Sequence, residues 1–509
     1  MTRTCAPRTL CRFLTGFLAV YITCGVAPVF AQGADAEVVA RIESWYRRAQ
    51  RRAPGLWGIA IADQQGHLVW SLHPDEPLIP ASTVKLFTTG FARSTLGGDA
   101  RRPTRVLGQG GTDSAGTWFG TWALEVNGDM SLERASRQGP QLSDLATQLR
   151  DAGIRRLTGP LVVQSAEGPA ESSYPSVWST RHRGRLFAPP IGAVTLSENV
   201  VRFTVRPGVK QGARPVIAGE SPRGVGSLVE IRAKTVAGRR SKLWVQATAE
   251  GGWIVGGTIG RSSRGRTFSA VANNPTTVLR AAWGAALRGA GIEWDQGTIV
   301  LAGPGPSRYT VLAEVESPPL DSLASEVNRR SLNIGAELLL RWAGGTRDAA
   351  SRLVEHVLAV TGKTDGVHLV DGSGLSNLDR VAPSTFTAYL ARFPLTKAGR
   401  NFPQLLPANG QGTLHRLSSG FPGRGVVRAK TGTLNDVSTV VGYLGRQDGV
   451  LLVSLMYNGG RPHTARAEQW RLFRALGGDG VVIPSEQVDE PEEFQLGGES
   501  SEPAPSGAQ

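Results

Sequence analysis

Ser82 and Lys85 stand three residues apart in the run Pro80-Ala81-Ser82-Thr83-Val84-Lys85-Leu86-Phe87. On a helix, positions i and i+3 share one face, so this spacing sets a hydroxyl and an amine one turn apart, within reach of a shared proton. That is the chemistry of a serine nucleophile carrying its own base. Lysine is scarce in the chain: seven of the 56 basic residues, at positions 85, 210, 234, 242, 363, 397 and 430. Even so, a sequence of this composition holds roughly half an S-x-x-K by chance. Other residues must carry the argument.

Lys430-Thr431-Gly432-Thr433 contains the only K-T-G in the chain, and with so few lysines chance supplies one only about one time in twenty. An edge strand bearing Lys and Thr offers an ammonium and hydroxyls to a carboxylate, and the glycine lets a substrate backbone come close. Ser331-Leu332-Asn333 opens the apolar helix Ile334 to Trp342, where alternate residues can aim a hydroxyl and a carboxamide into one cleft. Ser197-Glu198-Asn199 has the same spacing, but Ser331 lies between S-x-x-K and K-T-G in chain order.

The elements that position these groups can be read from periodicity. Asp35 to Arg52 reads as an amphipathic helix with Asp35 as its N-cap. Leu56 to Ile61 and His67 to Leu72 form a hairpin, and Pro80 starts the S-x-x-K helix. From about residue 97 the texture changes to short alternating strands split by Gly, Pro and Ser: Thr117 to Val126, Gly159 to Gln164, Val200 to Val205, Val229 to Thr235 and Leu243 to Ala247. A helix from Thr276 to Ala290 closes this stretch. Helices return from Leu320, Val437 to Leu444 pairs with Val450 to Met456, and His463 to Ala475 is a final helix. The reading is an α/β body over 35–95 and 312–484, interrupted by β-rich inserted subdomains over 96–311.

Composition narrows the classes. Residues 1–31 have a basic start, an apolar middle and a small-residue exit, which is the pattern of a secretory signal peptide cleaved after Ala31. Its apolar stretch is too short and interrupted for a span, so no stable membrane span is expected after cleavage. Cys5, Cys11 and Cys24 all lie within it, so the mature chain has no disulfide or thiolate chemistry, and the residues before Cys24 fit a lipid-attachment site poorly. The formal charge is +14 and the pI near 10.3. Arginines are scattered with no basic run interleaved with aromatics, which argues against nucleic acid and for a solvated or anionic-polymer-facing surface outside the cytoplasm. Residues 485–509 read as a disordered acidic tail.

S-x-x-K, S-x-N and K-T-G in this order are the set shared by penicillin-binding proteins and related β-lactamases. The sequence resembles the class C low-molecular-weight penicillin-binding proteins, the D-alanyl-D-alanine carboxypeptidase/endopeptidase group. The long gap from Ser82 to Ser331, the run Asp371-Gly372-Ser373-Gly374-Leu375-Ser376 and the export signal narrow it to that group. Two positions depart from the family pattern: Leu332 stands where Asp is frequent, and Asn127-Gly128-Asp129-Met130 where a G-D-P is common. Neither removes a catalytic side chain.

The resemblance implies an antiparallel sheet with helices in a penicillin-binding/β-lactamase-like body, in the periplasm or otherwise outside the cytoplasm. It implies that Ser82 attacks the bond between two D-alanines of peptidoglycan peptides and that Lys85 takes its proton as a neutral amine, its pKa lowered by burial and by Lys430. Ser331 relays a proton to the leaving amine. Asn333 binds the peptide, and Lys430, Thr431, Gly432 and Thr433 receive the terminal carboxylate. β-Lactams would acylate Ser82 as inhibitors, and no cofactor or metal is implied. A Ser-His-Asp hydrolase is disfavoured because no G-x-S-x-G is present, and the seven histidines show no H-E-x-x-H. Gly362-Lys363-Thr364 fails as a P-loop because Val357 stands where glycine is needed. Ser373 reads as part of a structural turn. The rival from another class is a cell-wall binding module with an inactive site, and a β-lactamase would need fast deacylation.

Overall fold

The computed structural model describes residues 36–483 except 137, 296–297 and 306–307. The expected leader, the Asp35 cap and the acidic tail lie outside the described residues.

A five-stranded antiparallel sheet carries the K-T-G segment on its edge, in the order Leu68–Leu72, Leu56–Ala62, Gly449–Asn458, Val437–Arg446, Val427–Leu434. Segments from the two ends of the chain are therefore neighbours, in register from Leu56 opposite Asn458 to Ala62 opposite Leu452. The strand Val437–Arg446 is buried on both sides, and its alternation divides it between two cores. Val440 and Leu444 share a core with Ile42, Trp45 and Phe473 from the helices Ala36–Arg52 and Pro462–Gly477. Val441 and Tyr443 face a helical layer that supplies Leu86, Phe87, Val327, Leu338, Leu353 and Phe386.

That layer holds two of the three sequence motifs. The S-x-x-K segment is a 3-10 turn, Ala81–Thr83, continued by the helix Val84–Leu96. This helix is held from its far side by aromatics, with Phe87 stacked 4.7 Å from Phe386 and edge-on to Tyr389 at 4.9 Å. S-x-N sits at the junction of Leu320–Arg330 and Asn333–Gly344.

Two β-rich units intervene. In the first, Pro103–Thr112 pairs with Thr117–Glu125 and with Thr310–Glu316 inside a seven-stranded mixed sheet. Leu145 and Leu149 of a helix at Leu142–Asp151, and Leu279 and Trp283 of the helix Pro275–Ala290, cover it. The Leu142–Asp151 helix was not expected, although its buried Leu142, Leu145, Ala146 and Leu149 keep helical spacing. The second unit, residues 200–271, packs a three-stranded and a four-stranded sheet around Phe203, Val205, Trp253, Val255 and Ile259. Here the expected strand Val229 to Thr235 is broken into Val229–Ile231 and Lys234–Val236. Arg232 N and Ala233 N both donate to Val255 O, and the register against the neighbouring strand is the same on either side of the break, Ile231 opposite Val255 and Lys234 opposite Thr258.

Candidate active site

The nucleophile turn is clamped by backbone. Ala81, immediately before Ser82, is held at φ +49°, a left-handed conformation costly for a residue with a Cβ. Pro80 O accepts from Thr83 Oγ1 and from Thr439 Oγ1, both at 2.7 Å. Two glycines then press on the turn. A Cβ on Gly432 would stand 2.8 Å from Ser82 N, 2.7 Å from Pro80 O and 2.4 Å from Thr439 Oγ1; one on Gly374 would stand 1.9 Å from Ala81 O. Gly374 also has φ +72°, so its position excludes other residues twice over. The glycine of K-T-G and a glycine of the Asp371 to Ser376 run thus fix the turn from opposite chain segments.

Lys85 has no solvent exposure, whereas Ser82 is half-buried and reaches the surface. Lys85 Nζ lies 2.9 Å from Ser82 Oγ, 2.6 Å from Asn333 Oδ1 and 2.6 Å from the backbone oxygen of Ser373. Asn333 is oriented by its Nδ2, which donates to Phe187 O at 2.9 Å. Burial pulls the Lys85 pKa down from 10.5 to about 7, against the opposing pull of Asp371, Glu337 and Asp379. The expected contribution of Lys430 to this shift shows on the other partner instead. Lys430, fully buried, is held well below the ordinary lysine range by burial, by Lys85 and by Arg466.

The second pair completes the cluster. Lys430 Nζ donates to Ser331 Oγ at 2.9 Å and to Thr431 O at 2.8 Å. Ser331 does not open the second helix, as its sequence suggested, but caps the C-terminal end of the first, at φ +58°. In that left-handed conformation its hydroxyl accepts from Lys430 Nζ. Thr431 is buried and Thr433 exposed; Arg466 donates to Gly432 O at 2.7 Å and to Thr433 Oγ1 at 3.3 Å. All eight expected site residues are therefore gathered on one turn, one helix junction and one sheet edge. The alternative Ser197-Glu198-Asn199 is used structurally: Asn199 Nδ2 donates to Pro190 O and Glu198 pairs with Arg330.

Several contributors were not singled out from the sequence. Asp371 accepts from the backbone N–H of Ser373, Gly374 and Ser376 and from Trp178 Nε1, which shapes the turn that offers the Ser373 carbonyl to Lys85. Glu337, one helical turn beyond Asn333, accepts from Gly372 N at 3.1 Å. Burial and the proximity of Asp371 push both Glu337 and Asp379 above the usual carboxylate range. Among the described residues, no cluster of three His, Cys, Asp or Glu is arranged to hold a metal ion.

A half-exposed serine bonded to a buried, depressed-pKa lysine, with a second Ser-Lys pair on the edge of an antiparallel sheet, defines a serine acyl-transfer enzyme of the penicillin-binding type. The fold agrees: the crystal structure of penicillin-binding protein 4 (DacB) from Haemophilus influenzae superimposes with a TM-score of 0.65 at 21% identity, covering 84% of this chain and 98% of that one. By sequence, a D-alanyl-D-alanine carboxypeptidase of an Actinomadura species is 26% identical over 79% of this chain and 77% of its own length. A D-alanyl-D-alanine carboxypeptidase DacB of Haemophilus influenzae is 25% identical over 76% of this chain and 81% of its own. Residues 46–474 match the model of the D-Ala-D-Ala carboxypeptidase 3 (S13) family, and the chain belongs to that family.

Proposed function

We propose that this chain acts on peptidoglycan stem peptides as a serine D-alanyl-D-alanine carboxypeptidase and/or endopeptidase. The observation that carries this reading is the 2.9 Å contact between Lys85 Nζ and Ser82 Oγ inside a fully buried lysine site. A neutral amine has two N–H groups and one lone pair. With Asn333 Oδ1 and Ser373 O taking the two N–H groups, the lone pair faces the Ser82 hydroxyl.

Ser82 Oγ attacks the carbonyl between two D-alanines while its proton passes to Lys85. Backbone N–H groups of Ser82 and Thr433 receive the oxyanion. The proton taken up by Lys85 is relayed through Ser331, itself bonded to Lys430, to the departing amine, which leaves Lys85 neutral again. The terminal carboxylate sits against Lys430, Thr431 and Thr433, and the peptide backbone runs past Gly432. Water then attacks the ester and returns the proton through Lys85, releasing the shortened peptide and free Ser82. A β-lactam follows the same first step, and a structure of the Haemophilus protein complexed with a β-lactam supports carrying that over. The leader-like residues 1–31 and the relatives' carboxypeptidase names support a location outside the cytoplasm.

Fluorescent penicillin tests the reading: folded protein labels covalently and Ser82→Ala abolishes the label. An unlabelled, folded wild-type chain would leave the binding-module alternative standing.

A further inference from the structure

Residues 200–272 are strongly basic. They hold thirteen Lys and Arg against three Glu and no Asp, a net +10 in a chain whose total is +14. All thirteen are exposed. Among the described residues only Arg232 makes an ion pair there, with Glu230. Self-repulsion of this kind is unfavourable to folding, and nothing in the small core of the unit requires it.

The outer face of its four-stranded sheet arranges part of this charge around an aromatic platform. The strand Lys242–Ala247 alternates, with Leu243 and Val245 against the core and Lys242, Trp244 and Gln246 outward. Trp244 is 49% exposed. Its indole lies flat on the neighbouring strand over Gly256, where a Cβ would stand 2.0 Å from the ring. One ring face is thus supported by sheet and the other is bare. Lys234 and Lys242 are both in register with Thr258, one on each side of its strand. Their Cα atoms therefore stand two strand spacings apart, about 10 Å, and Trp244 lies two residues along from Lys242 on the same face.

We propose that this face binds peptidoglycan, a sugar ring of its glycan stacking on Trp244 while free carboxylates of its stem peptides pair with Lys234, Lys242 and the surrounding arginines. A bare indole beside cations suits a ligand with both an apolar ring face and negative charge, and a stack of this kind needs the flat seat that Gly256 provides. The face belongs to a separate unit: hydrogen bonds made by residues 200–272 stay within 199–277 among the described residues. It would therefore act as a second contact that holds the polymer while the serine site works on its peptides. The choice of polymer rests on the function proposed above.

The test is co-sedimentation of the full chain with purified peptidoglycan sacculi, run beside fluorescent-penicillin labelling and turnover of a soluble peptide ending in D-Ala-D-Ala. Trp244→Ala, and separately Lys234→Glu with Lys242→Glu, should lower the bound fraction about tenfold, and added salt should weaken wild-type binding. Labelling and soluble-peptide turnover should stay at wild-type levels, which also shows that the variants fold. Unchanged sedimentation of both variants overturns the proposal. So does wild type that binds phosphatidylglycerol vesicles but not sacculi. Loss of labelling in wild type together with variant-sensitive sedimentation overturns the catalytic reading and leaves this one standing.

Discussion

Gly432 and Ser82 are packed so closely that a single added carbon on Gly432 would come within 2.8 Å of the Ser82 amide nitrogen. The edge strand is thereby seated directly on the nucleophile turn, which sets the width of the cleft between Ser82 and the threonines Thr431 and Thr433.

Gly432→Ala should therefore fold and still fail. The added methyl has to displace Thr439 or the Pro80 to Ser82 backbone, and a shift of about 1 Å at a reacting group is enough to cost about a hundredfold in rate. Stopped-flow acylation by a chromogenic β-lactam checks this; an acylation rate within threefold of wild type would contradict the packing argument.

Acylation should follow the ionisation of Lys85. Its pKa lies at about 7, and only the neutral amine accepts the serine proton. The rate should rise about tenfold per pH unit below 7 and level off above it. Asn333→Asp places a carboxylate where the carboxamide oxygen now meets Lys85 Nζ at 2.6 Å, favouring the ammonium. The rising limb should move to higher pH in that variant, and identical profiles would argue that Lys85 is not the base.

The same shift has a sign for stability. The unfolded chain protonates this lysine below 10.5 while the folded chain does so only below about 7, so the Lys85 contribution to stability rises with pH across that window. Glu337 and Asp379 act in the opposite direction, because their raised pKa values make the folded chain bind the extra protons. The informative quantity is thus the difference between wild type and Lys85→Met in urea unfolding at pH 7 and pH 9. That difference should favour the variant more at pH 7, and a pH-independent difference would contradict burial as the cause.

Asp371→Ala removes the acceptor of four hydrogen bonds, three from its own turn and one from Trp178. Leaving those buried donors unpaired should cost about 3–5 kcal/mol. It should also release the Ser373 carbonyl from Lys85, so that any protein that folds acylates slowly. Thermal unfolding together with penicillin labelling separates the two effects; wild-type values in both would remove Asp371 from the site.

Lys430→Gln should act on binding. Lys430 Nζ is buried against Ser331 and Thr431, and an incoming terminal carboxylate favours its charged form, a charge that a neutral amide cannot supply. Turnover of a peptide with a free C-terminus should fall at least about a hundredfold, whereas the same peptide with a C-terminal amide, poor for wild type, should be affected little. Equal losses on both would argue against a carboxylate contact.

The sequence by itself determined the chemistry. Ser82 and Lys85 are bound by helical spacing, a local rule that needs no partner, and the only K-T-G is followed by a strand whose apolar alternation is equally local. Chain order then linked Ser331 and Asn333 to them, and the short strands of 200–271 were legible as β structure from the same alternation. What only the tertiary structure decided is what surrounds those groups. The carbonyl of Ser373 reaches Lys85 across 288 residues, and Trp178 reaches Asp371 across 193. Such contacts leave no periodic trace in the chain. Ser331 looks like a helix start in sequence because it is its dihedral angle, not its residue type, that makes it the cap of the preceding helix. Lys85 was read as a neutral base, but the dominance of burial over neighbouring charge emerged only when two helices, a turn and a sheet edge closed around it, because desolvation belongs to the packed whole and not to any residue's neighbours in sequence.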